Sequence, residues 1–153
     1  MKEKLMMTFL AAVLCMTAAA RPAPEKGADG KKILVAYFSW SGNTQHVAEH
    51  IASLTGGTLF RIEPEKPYPA EYRPCTEVAK AEKEADARPA IAREVEDWEQ
   101  YDTVFIGCPV WWWTAPMIIN TFAESYDFKG KTVIPFCTCL LYTSPSPRDK
   151  RQS

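Results

Sequence analysis

Ser39, Ser41, Asn43 and Thr44 fall within six consecutive residues around Gly42, in the stretch "YFSWSGNT" at 37–44. Three hydroxyls and an amide this close together, with no acidic side chain among them, suit an anion. An apolar run, "KKILVA", precedes the stretch and an amphipathic one follows it. A strand therefore turns directly into a helix, and the helix adds unpaired N–H groups and the positive end of its dipole. Gly42 permits a tight turn and close backbone approach. Together these make a cradle for a phosphate monoester that needs no cationic side chain. The plainer alternative is a strand–helix turn whose serines only cap the helix.

Other phosphate chemistries are excluded by pattern. The chain has no G-x-x-x-x-G-K-[ST] to hold a nucleoside triphosphate and no G-x-G-x-x-G for a dinucleotide. It lacks the Cys-x5-Arg of a cysteine phosphatase, and no aspartate ends the first strand as a receiver domain requires.

"GCPVWWWTAPM" (107–117) is the second unusual stretch. Consecutive tryptophans cannot all point inward, because alternate strand residues face opposite ways. At least one is expected at the rim of the same crevice, where a flat aromatic ligand could cover it. Packing under loops or at an interface is the alternative. His46 and His50 share a helix face with Glu49, but a metal needs a further placed ligand. Of the cysteines after residue 15, Cys75, Cys108, Cys137 and Cys139, none fits a zinc pattern or a Cys-x-x-Cys redox motif; pairing in an exported protein, or a redox-active Cys137-x-Cys139, is the alternative to plain strand cysteines.

The elements that must position these residues alternate. Strands are expected at 31–39, 58–64, 101–110 and 129–138. Between the first two, a helix from Thr44 places Val47, Ile51 and Leu54 at helical spacing and ends at Gly56-Gly57. A proline- and tyrosine-rich loop leads to a Glu/Lys-laced helix over 76–87, then a connector to about residue 100. The helix after the third strand carries Pro116 near its first turn. This is an α/β domain with a mostly parallel sheet and helices on both faces. Ligands bind such sheets at the carboxyl ends of the strands.

On "SWSGNT" and "PVWWWTAP", and more weakly on "YPAEYRPC…ARPAI", the chain resembles the flavodoxin-like family, in its exported bacterial branch, over residues 32–138. The resemblance implies a three-layer α/β sandwich with parallel strand order 2-1-3-4-5 and FMN as cofactor, both carried over from the family. It implies that Ser39, Ser41, Gly42, Asn43 and Thr44, with the backbone of Trp40, hold the FMN phosphate. Pro109, Val110, Trp111, Trp112 and Trp113 then line the ring, with Trp111 or Trp112 foremost as the stacking residue. A third FMN loop begins at Thr138, but its glycine- and serine-rich continuation is missing, as are the last strand and helix. Strand four is therefore expected as an open edge. "VWWWTA" also lacks the glycine that flavodoxins carry near the ring. An FMN-dependent NAD(P)H reductase of quinones or nitro compounds thus stands beside an electron carrier. A flavin-free binding module on the same fold is the third reading. No side chain is assigned as acid, base or nucleophile, and neither a redox partner protein nor a small-molecule acceptor is selected.

The ends read differently from the domain at 32–139. Lys2 and Lys4, the apolar run Leu5–Leu14 and Ala18–Ala20 form the pattern of a secretory signal peptide over 1–20. That implies export to the periplasm or beyond, with no stable membrane span after cleavage; a retained N-terminal anchor is the alternative. The run is short against the roughly 20 apolar residues of a span. Residues 21–31 read as a flexible leader, and 140–153 as a disordered or foreign tail. With 46% hydrophobic and 24% charged residues and a net charge of −1, the 153-residue chain suits one globular domain and has no basic surplus to drive nucleic-acid binding.

Overall fold

The computed structural model describes residue 30 and residues 32–139. The expected signal peptide and tail, and the leader apart from Gly30, lie outside the described residues.

Four parallel strands form one sheet: β1 (Ile33–Tyr37), β2 (Thr58–Arg61), β3 (Thr103–Pro109) and β4 (Thr132–Thr138), in the order β2-β1-β3-β4. The sequence ILVAY lets β1 sit at the centre, since every side chain can be covered on either face. Leu34, Ala36 and Phe38 join Val104, Ile118, Ile119 and Phe122 in the core on one face. Val35 and Tyr37 pack on the other face against Ala48 and Ala52. The sheet thus lies between α1 (Asn43–Thr55) on that second face and α3 (Met117–Ser125) on the first, with α2 (Tyr72–Glu84) against α3.

Three expectations are corrected. The helix α1 buries Thr44, Ala48 and Ala52 and packs Ile51 at their edge, while Val47 is exposed and Leu54 is 73% exposed. Small side chains let the helix lie close over Val35 and Tyr37, which leaves the bulky residues at its flanks. The helix α2 begins at Tyr72, four residues before the expected start, and ends at Glu84. Pro74 falls in its first turn, where a missing N–H costs nothing. Each strand is also shorter than its apolar run, and after β1 the lost residues belong to the turn that builds the site.

The last strand, β4, is an edge of the described sheet, with Val133 and Ile134 exposed. Its Phe136 lies across β3 at Gly107, where any Cβ would come within 2.0 Å of the ring. None of the described helices is long and apolar enough to cross a membrane.

Candidate functional site

The elbow after β1 is fixed from within. Phe38 N–H donates to Gly107 O at 2.8 Å, tying the chain to β3 as it leaves the sheet. Ser39 is buried, and its Oγ accepts the Gly42 N–H at 3.1 Å. Gly42 takes φ 92°, a left-handed conformation that strains other residues, and stands as the residue before α1. No side chain caps that helix and no acidic residue lies in its first turn. His46 N–H is met by Gly42 O at 3.0 Å, while the N–H groups ahead of it have no intrahelical partner to reach. Ser41 and Asn43 are exposed beside them. Nothing lies within 4 Å of where a Cβ on Gly42 would stand, so there is room for a ligand group. Uncapped donors, an absent acid and open space are what a phosphate monoester fits.

Thr44 and Thr138 close the site on the β4 side. Their hydroxyl oxygens are 2.8 Å apart, and Thr138 O accepts the Val110 N–H at 3.2 Å. The structure therefore brings Ser39–Thr44, Pro109–Val110 and Thr138 to one end of the sheet, the carboxyl ends of β1, β3 and β4. The Trp40 side chain, unlike its backbone, points away from the elbow: its Nε1–H donates to Pro69 O at 3.0 Å, in the loop after β2.

The three tryptophans divide between three environments. Trp111 and Thr114 exchange backbone hydrogen bonds of 2.9 and 3.0 Å, enclosing a two-residue turn. Trp112 and Trp113 occupy that turn at φ 47° and 66°, geometry usually supplied by Asn-Gly. Trp111 meets Phe38 and Tyr68 edge-on at 5.3 and 5.1 Å, at the margin of the core. Trp112 is held against α2: its Nε1–H donates to Thr76 O at 2.9 Å, and Lys83 Nζ donates to its carbonyl at 2.7 Å. Trp113 is 86% exposed. It has the most uncovered aromatic face of the three, although Trp111 and Trp112 carried the expectation of stacking.

Two groups at the site escaped the sequence reading. A cradle free of cationic side chains was expected, yet Arg61 stands beside it. Its Nη2 donates to Ser39 O at 3.3 Å and its Nη1 to Gln45 Oε1 at 3.4 Å. Arg61 ends β2 in register with Tyr37 at the end of β1. The order of strands two and one was the signal that could have found it. The second group is Tyr68, whose hydroxyl donates to Glu82 Oε2 at 2.7 Å. Burial pushes the Glu82 carboxyl up, with the Tyr68 hydrogen bond opposing. Burial and then Glu82 push the Tyr68 phenol up as well. The pair lines a groove of about 650 Å³ with Pro64, Pro67, Pro69 and Pro89. Tyr68 thus joins this groove to Trp111.

His46 and His50 are exposed on α1, and His46 Nδ1 lies 3.8 Å from Glu49. Among the described residues no three His, Cys, Asp or Glu side chains are grouped to hold a metal.

Known proteins share this architecture. The flavodoxin family model matches residues 32–144. The chain is 45% identical to a protein of Bacteroides eggerthii assigned as a flavoprotein, with a TM-score of 0.64, covering 71% of this chain and 70% of that one. A counterpart from Bacteroides uniformis is 42% identical, with a TM-score of 0.65 and coverage of 73% and 74%. A Lactobacillus acidophilus flavoprotein solved in complex with FMN is 28% identical, with a TM-score of 0.66 and coverage of 74% and 78%. No curated protein matches the chain.

Proposed function

This chain belongs to the flavodoxin family, and from that premise we propose that it is an exported FMN-binding redox protein. One observation carries the cofactor reading: the start of α1, with its left-handed Gly42, no side-chain cap and no acid in the first turn. The phosphate binds there, on the N–H groups of the first turn and the Ser41 and Asn43 side chains. Ser39 and Thr44 act from behind, the first shaping the turn and the second fastening it to β4. The tryptophan turn borders the ring. When bound, FMN supplies a ring that accepts and returns electrons, while the protein supplies position and electrostatics. The likeness to the FMN complex from Lactobacillus acidophilus supports the same assignment.

A titration with FMN and, separately, riboflavin tests it. FMN should bind much more tightly, because only it carries the phosphate. A folded protein that binds neither flavin removes the cofactor reading. Export rests on the signal-peptide pattern at 1–20. Its test is the N-terminus of the protein recovered from the native host, which should begin after Ala20.

A second reading, an FMN-dependent NAD(P)H reductase of quinones or nitro compounds, is favoured by the groove at Tyr68 and Glu82. Its volume lies within the roughly 300–1,000 Å³ of small-molecule sites. Steady turnover of a quinone with a nicotinamide donor distinguishes the reductase from an electron carrier.

A further inference from the structure

The register of β3 and β4 sets Cys108 directly beside Cys137. Register partners on neighbouring parallel strands point to the same face, and such strands run roughly 4.7–4.9 Å apart. That spacing lies within the ~4.4–6.8 Å Cα separation of disulfides. Both thiols are free in this structure. Cys108 is half-buried at the margin of the core around Phe38 and Phe122, whereas Cys137 is exposed. The Cβ atoms, held at about the same spacing, must close only to the ~3.5–4.5 Å of disulfides. Cys139 is a poorer partner for Cys137, since residues two apart in an extended chain stand roughly 6.6 Å from each other, at the far end of the disulfide range.

We infer that Cys108 and Cys137 form a cross-strand dithiol that a low-molecular-weight disulfide converts reversibly to a disulfide at the rim of the site. Cys137, which the reagent can reach, loses its proton and attacks one sulfur of the reagent. The reagent's S–S bond breaks, and one thiol leaves carrying a proton. Cys108 then loses its proton and attacks the Cys137 sulfur of the mixed disulfide, releasing the second thiol. Two protein thiols are oxidised and one reagent disulfide is reduced by the same electron pair. Burial pushes the Cys108 thiol up, which slows the second step. The new bond joins β3 and β4 one residue before Pro109 and Thr138. It therefore clamps the corner where Thr138 meets Thr44 and Val110.

The test is exposure of the full chain to glutathione disulfide, followed by alkylation, digestion and mass spectrometry with fragmentation that separates Cys137 from Cys139. The expected product is a link between Cys108 and Cys137 within one chain, reversed by dithiothreitol. It should persist in Cys139→Ser and vanish in Cys137→Ser, with circular dichroism confirming that both variants fold. The unchanged chain is mapped as well, so the result does not depend on the variants. Three outcomes overturn the inference: a link between Cys137 and Cys139, links only between chains, or a mixed disulfide at Cys137 with Cys108 still open to alkylation.

Discussion

The hydroxyl of Thr44 lies 2.8 Å from that of Thr138, across 94 positions of sequence. Thr44 is the second residue of α1 and Thr138 ends β4, so this bond fastens the elbow after β1 to the far strand of the sheet. The two sides are not equivalent, because Thr44 is 1% exposed and Thr138 only half-buried. Thr138→Val strands a buried hydroxyl and should cost about 1–3 kcal/mol. Thr44→Val leaves a hydroxyl that water can reach and should cost less. The double variant should fall short of the sum of the two, as partners in one bond do. Urea denaturation of the three variants checks this. Equal losses in the single variants, adding fully in the double, would show that the bond does not join these elements.

The tryptophan turn carries strain that a smaller residue would relieve. Trp113 sits at φ 66° and is 86% exposed, so its side chain returns little packing for the conformation it imposes. Trp113→Gly should stabilise the protein by roughly 1 kcal/mol, the relieved strain being partly offset by the entropy of glycine. The same change should weaken FMN binding if the indole covers the ring. A denaturation midpoint that falls instead of rising would mean that the turn is not strained.

What the sequence made legible follows from what is local. The strand–helix alternation was readable because ILVAY and TVFIGCP are apolar runs between helical patterns, whereas the strand order came only with the family resemblance. The elbow was readable because Gly42 and its polar neighbours are contiguous. Arg61 was not, since its role depends on which residue of β1 lies opposite it. The pairing of Cys108 with Cys137 likewise needs the β3–β4 register. Helical spacing alone gave no sign that α1 would bury Ala48 and Ala52 rather than Leu54. The choice was made by how closely the helix approaches the sheet.

Arg61 gives the phosphate reading a sharper test. Its guanidinium donates to Ser39 O and Gln45 Oε1 at the back of the elbow, which places a positive charge beside the proposed phosphate position. Arg61→Gln should weaken FMN by about 0.5–1 kcal/mol at low ionic strength, the scale of a part-exposed charge interaction. Riboflavin binding should be unchanged, and raising the salt should erase the difference. An equal loss for both flavins would assign Arg61 to holding the loop in shape rather than to the phosphate charge.

Glu82 makes a pH-dependent contribution that its amide can isolate. Burial raises the folded carboxyl above its ordinary value of 4.5, and the Tyr68 hydrogen bond only partly opposes this. The folded state therefore holds the proton more tightly than the unfolded state does. This contribution is fully present below pH 4.5 and is lost as pH rises through the raised folded value. Glu82→Gln keeps an acceptor for the Tyr68 hydroxyl and removes the titration. Stability of the variant measured from pH 4 to pH 7, roughly the range that a raised carboxyl spans, should fall less steeply with rising pH than that of the unchanged protein. Parallel profiles for the two proteins would show that Glu82 titrates alike in the folded and unfolded chain, and that the groove at Tyr68 does not shield it from water.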